Sequence, residues 1–125
     1  MLRAAIPIAA ALLVGTPQAA CAQQLTGTEL NELLSGQTID LSAPFGSLPI
    51  EYAADGTMVA RSAVLAVFSG IYEDKGTWRI AGDQFCQGWK TWTPGKEQCF
   101  TVHRGSTTLH WKSNDGMTGT ASARK

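Results

Sequence analysis

The chain has 125 residues, enough for one domain. Hydrophobic residues make up 44% and charged residues 16%, a globular composition that excludes both a disordered chain and a multi-span membrane protein. Lys plus Arg and Asp plus Glu each number 10 and cancel, so the balance favours neither nucleic acid nor a strongly charged partner.

Residues 1–22 read as an export signal. Arg3 supplies a positive start, Ala4 to Val14 a short apolar run, and Thr16 to Ala22 a small-residue stretch ending Ala20-Cys21-Ala22. That stretch places a cleavage between Ala22 and Gln23. The apolar run is too short to span a bilayer. The alternative is a lipoprotein anchored through Cys21; Gln18 stands where such signals usually carry an aliphatic residue, which favours the soluble form. Residues 23–125 are then a single domain in the periplasm or outside the cell, with no transmembrane segment. Loss of Cys21 leaves Cys86 and Cys99 as an even pair in an oxidising compartment, which predicts a disulfide. Closing a loop of this size contributes on the order of 3 kcal/mol in the chain-entropy account.

The domain opens with a helix over Thr26 to Ser35. Thr26 and Glu29 have the spacing of a capping box, and Leu25 and Leu30 that of a hydrophobic staple. Leu30, Leu33 and Leu34 form an i, i+3, i+4 stripe, and Gly36 suits the position after the C-cap. Beyond Gly36 the period falls to two. Gln37 to Leu41 reads as a strand, Pro44 to Pro49 as a loop, and Ala54-Asp55-Gly56 as a hairpin turn between Pro49–Ala53 and Thr57–Arg61. The apolar run Val64, Leu65, Val67, Phe68 fits a buried strand or a helical turn, and its β-branched and aromatic content favours strand. Glu73 to Gly76 reads as a polar turn.

From Gly76 onward short strands alternate with turns. Trp78 and Ile80 alternate with Thr77 and Arg79, and Ala81 to Gln84 turns the chain. If Cys86 faces Cys99 across an antiparallel pair, Phe85 faces Phe100 and Gln87 faces Gln98. Phe85, Phe100 and Val102 then share one face and the disulfide lies on the other. Arg104-Gly105-Ser106 turns into a strand carrying Leu109 and Trp111 inward, and Asn114-Asp115-Gly116 leads into a last strand, Met117 to Ala121. The predicted core is Trp78, Ile80, Phe85, Phe100, Val102, Leu109 and Trp111 with the leucine face of the helix. Turns every ~8–12 residues predict an all-β fold, a small antiparallel meander forming a barrel or sandwich, with one N-terminal amphipathic helix. Gly70, Gly76, Gly82 and Gly88 recur at six-residue intervals, but Ser69, Lys75, Ala81 and Gln87 before them are not the aliphatics a parallel β-helix stacks inward.

The order of these elements resembles a group of small periplasmic proteobacterial domains of unknown function with a Gly-x-Trp…Cys…Trp…Cys core. Here that core is Gly76, Trp78, Cys86, Trp89 and Cys99, flanked by turns at Asp55-Gly56 and Asp115-Gly116. The resemblance implies a secreted β-domain with a disulfide and carries over no catalytic residue. The chain is more distantly similar to small barrel inhibitors of secreted bacterial proteases.

Candidate chemistry is sparse. There is no Gly-x-Ser-x-Gly elbow, no His-Glu-x-x-His, no Cys-x-x-Cys and no phosphate-binding glycine loop, so the chain reads as non-catalytic with no cofactor. Cys86, Cys99, His103 and His110 could be counted as a four-ligand zinc set, but the cysteines are separated by a whole hairpin and an oxidising compartment favours their disulfide. His103 and His110 share the outward face of adjacent strands, a two-histidine arrangement without a carboxylate to complete a metal shell. Trp89, Lys90, Trp92 and Lys96 cluster at the tip of the disulfide hairpin, where indoles beside ammonium groups suit a ligand ring or a partner surface. The expected role is a monomeric, non-catalytic binding or envelope-associated module for a protein or small ligand. One alternative is a protease inhibitor acting through the Trp92 loop. Another is a small-ligand carrier, which requires an open interior; a centre filled by Trp78, Phe100 and Trp111 would exclude it.

Overall fold

The computed structural model describes residues 23–44 and 46–124. Residues 1–22, which read as an export signal and include Cys21, lie outside the described residues. A two-residue strand β1 (Gln23–Gln24) leads into helix α1 (Gly27–Leu34). The Thr26 hydroxyl accepts from the Glu29 amide while the Glu29 carboxylate accepts from the Thr26 amide, so the capping box forms in both directions. Gly36 follows the C-cap at φ 75°, a conformation glycine adopts without steric cost.

Seven hairpin-like connections then run through β2 (Gln37–Ala43), β3 (Gly46–Tyr52), β4 (Thr57–Arg61), β5 (Glu73–Ala81), β6 (Gln84–Trp89), β7 (Gln98–Arg104), β8 (Leu109–Ser113) and β9 (Thr118–Ala123). Each strand pairs antiparallel with the next, and β9 returns to β2, closing an eight-stranded barrel. Closure leaves no long open edge for another chain to join. β6 pairs with β7 only over residues 98–100, and β1 occupies the same edge of β7 further along, at His103 and Arg104.

Three expectations are corrected. The first concerns Gly46, Ser47 and Leu48, read as loop but lying in β3. Pro49 misled that reading, and the backbone explains why it fits. The Thr38 carbonyl accepts from Arg124 on the β9 side, so Thr38 and Asp40 direct their backbone groups toward β9. Pro49 stands opposite Asp40 and therefore directs its missing amide away from β2, past the end of the β4 pairing at Ile50. Second, the apolar run after Ser62 is a helix, α2 (Ala63–Ser69), not a strand. β4 and β5 already pair with each other from Thr57–Thr77 to Arg61–Glu73, so no edge remains for a strand between them. Gly70 ends α2 at φ 76°, its amide bonded to the Ala66 carbonyl. Third, Glu73 to Gly76 begins β5 instead of forming a turn, and Asp74 is buried.

The expected register around the cysteines is the observed one: Phe85 opposite Phe100, Cys86 opposite Cys99, Gln87 opposite Gln98. The Cys86–Cys99 disulfide lies on the outer face and closes a separation of 13 residues. Above it Arg79, opposite Cys86, donates through Nε and Nη2 to Glu97 at 2.9 and 2.7 Å. Inside, Trp78, Phe85, Phe100, Val102 and Leu109 are buried together with Leu30 and Leu34 of α1, while Ile80 and Trp111 pack against them half-buried.

Candidate functional site

Side chains alternate in and out along each strand. The inward set includes Ile39 and Leu41 on β2, Ile50 and Tyr52 on β3, Phe85, Gln87 and Trp89 on β6, Gln98, Phe100 and Val102 on β7, and Leu109, Trp111 and Ser113 on β8. These residues do not fill the barrel. They surround a cavity of about 200 Å³. Trp78 is buried in the core, as expected, but lies to one side of the cavity, where its indole N–H donates to the Ala53 carbonyl at 2.9 Å.

The α1 leucines Leu33 and Leu34 line the cavity at the end where the helix leads into β2. At the opposite end Gln98, Ser113 and Met117 line it; Met117 is 58% exposed and marks the mouth. Asp115 organises this rim by accepting from Gln98 Nε2 at 3.2 Å and from the Ser113 hydroxyl. These bonds hold the Asp115 carboxyl below the ordinary carboxylate range, the Ser113 bond contributing most.

Aromatic rings make up much of the wall. Phe85 and Phe100 stack with centroids 5.0 Å apart, and Trp111 meets Phe100 edge-on at 5.6 Å. The Trp111 ring lies on Gly119, where an added Cβ would sit 2.4 Å from it. Gly119 therefore makes room for the indole. No charged side chain lines the cavity among the described residues. The polar side chains of its lining are Tyr52, Gln87, Gln98 and Ser113, beside the indoles of Trp89 and Trp111, of which the Trp111 N–H is sealed in protein. Tyr52 donates to Gln87 Oε1 at 2.8 Å, and burial pushes its phenol well above the ordinary tyrosine pKa, so the donor keeps its proton.

The hairpin-tip residues are placed differently from one another. Trp89 is buried and forms part of the cavity wall, Trp92 packs on it at 4.8 Å between centroids, and Lys90 and Lys96 are exposed. Asp74 holds this arrangement. Its carboxylate accepts from the amides of Thr91 at 3.0 Å, Trp92 at 2.8 Å and Lys75 at 2.9 Å, so the loop folds back over the barrel end. His103 stands directly opposite His110, and no third metal-type ligand joins them among the described residues. Cys86, Glu97 and Cys99 do cluster, but both sulfurs are engaged in the disulfide.

Sequence reading did not single out Tyr52, Gln87 and Gln98. The signal was available in the inferred register, which sets Gln87 opposite Gln98. Gln87 also alternates in phase with Phe85 and Trp89, so two amides belong to the apolar face.

Compared with protein-family models, curated proteins and solved structures, the chain matches none. No helix among the described residues is long and apolar enough to cross a membrane.

Proposed function

We propose that the protein is a non-catalytic binding module, exported to the periplasm or beyond, that holds one small, uncharged and largely apolar molecule inside its barrel. The observation that carries this reading is the open interior. An unfilled volume of about 200 Å³ forgoes about 5 kcal/mol of packing at ~24 cal/mol per Å³. That is a large share of the ~5–15 kcal/mol that stabilises a typical domain. Eight-stranded barrels are wide enough either to be filled by side chains or to hold one small ligand, and this interior follows the second pattern. A cavity of about 150 Å³ takes a benzene ring, so this one suits about eight to ten non-hydrogen atoms. The uncharged wall excludes an ionised ligand, because no cation or anion is present to offset its desolvation. The disulfide supports export by suggesting an oxidising compartment.

The inhibitor alternative has less support. Both indoles of the Trp92 loop are turned toward the barrel, which leaves Lys90 and Lys96 as the exposed long side chains of the expected contact set.

The test is cavity filling. Ala121, on β9, is 6% exposed and lines the cavity. Ala121→Leu is expected to keep the far-ultraviolet circular dichroism of the barrel and to weaken binding of isopropylbenzene at least tenfold, read by tryptophan fluorescence. Failure of the unaltered protein to bind isopropylbenzene and equally its neutral relatives of the same shape, acetophenone and benzamide, overturns the proposal.

A further inference from the structure

Gln87 lies inside an apolar barrel, and its hydrogen bonding is lopsided. The buried Tyr52 O–H has no other acceptor among the described residues, so it donates to Gln87 Oε1 at 2.8 Å. That contact fixes which end of the amide turns away from Tyr52. Nε2 and its N–H groups have no partner among the described residues, yet they are not sealed in protein as the indole nitrogens of Trp92 and Trp111 are. Gln98, directly opposite, is the complement: its Nε2 is committed to Asp115, and its Oε1 has no partner among the described residues. Both amides line the same cavity. One uncommitted donor and one uncommitted acceptor thus belong to residues that face each other across β6 and β7, in a largely apolar wall.

We propose that the ligand is a neutral molecule with an aromatic or compact aliphatic body and one polar end, a carbonyl oxygen that accepts from Gln87 Nε2, with an adjacent N–H or O–H that donates to Gln98 Oε1. This inference rests on the reading of the cavity as a ligand site and names the class of compound that fits it. Amides, lactams and hydroxy-ketones have that edge. Hydrocarbons lack it and leave the Gln87 donors dry, which costs more than the missing bond alone. Carboxylates have the acceptors but bring a charge that the wall does not offset.

Four compounds of matched shape separate these cases: isopropylbenzene, acetophenone, benzamide and benzoate, titrated at pH 7 into the full exported domain and followed by tryptophan fluorescence. Affinity is expected to rise from isopropylbenzene to acetophenone to benzamide, with about tenfold between the first and last and no saturable binding of benzoate. In Gln87→Leu the order is expected to invert, isopropylbenzene becoming the tightest of the four. Should that variant fail to fold, the side-chain amide resonances of Gln87 in the unaltered protein give the same information. These N–H resonances are expected to move downfield on adding acetophenone, as a new hydrogen bond to a carbonyl requires, and not to move downfield with isopropylbenzene. Equal affinity for isopropylbenzene and benzamide overturns this inference and leaves the cavity reading standing. Failure of the three neutral compounds to bind overturns both.

Discussion

At the level of single residues, Tyr52 connects the core to the site. Its ring packs edge-on against Trp78 at 5.8 Å and Phe85 at 6.2 Å, while its hydroxyl sets the Gln87 amide. Because burial raises its pKa, the folded state keeps the phenol proton at a pH where the unfolded chain releases it. Its contribution is therefore complete below the unfolded value of about 10 and is lost as pH rises above it. Urea midpoints measured from about pH 8 to 11 are expected to fall more steeply for the native sequence than for Tyr52→Phe. Equal slopes would mean that the phenol is not excluded from water. Gln87 and Gln98 illustrate how residues become legible. Glutamine usually reads as surface, and only the register imposed by Cys86–Cys99 places the pair inside.

The elements were readable where local chemistry and tertiary demand agreed. Thr26 and Glu29 cap α1 as their spacing predicts, and the hairpins at Asp55-Gly56 and Asp115-Gly116 turn where glycine allows a positive φ, 94° and 92°. The two were in conflict at Asp74. Its neighbours Glu73, Lys75 and Gly76 signal a turn, whereas the fold uses the strand to aim a buried carboxylate at the β6–β7 loop. No local pattern encodes that contact, because its partners lie 17 and 18 positions away. α2 was misread for a related reason. Whether an apolar run becomes strand or helix depends on a free sheet edge, and the β4–β5 pairing removes it. Asp74→Ala removes the acceptor for the loop amides. It is expected to lower stability by about 2–4 kcal/mol in urea denaturation and to make the amides of Thr91 and Trp92 exchange rapidly. Unchanged exchange at those two positions would show that the loop holds its shape without Asp74.

On the scale of the whole molecule, the barrel is closed by a β9–β2 pairing that joins its first and last strands. The alternation of Trp78, Phe85, Phe100, Leu109 and Trp111 made an all-β fold readable, and the number of strands pointed to a barrel or sandwich. Whether the centre is solid or hollow is not a property of any one strand. It depends on Gly119 accommodating the Trp111 ring, on Trp78 lying to one side, and on α1 presenting Leu33 and Leu34 from the end. The outcome is a cavity walled largely by apolar and aromatic side chains, with one amide pair among its few polar groups. The measurement that tests this most directly is a methyl nuclear magnetic resonance titration with benzamide. Resonances of Leu34, Ile39, Ile50, Val102 and Leu109 are expected to shift together and saturate, while that of exposed Val67 stays in place. Shifts confined to Val67 and other outer positions, with the interior methyls unmoved, would contradict a ligand site inside the barrel.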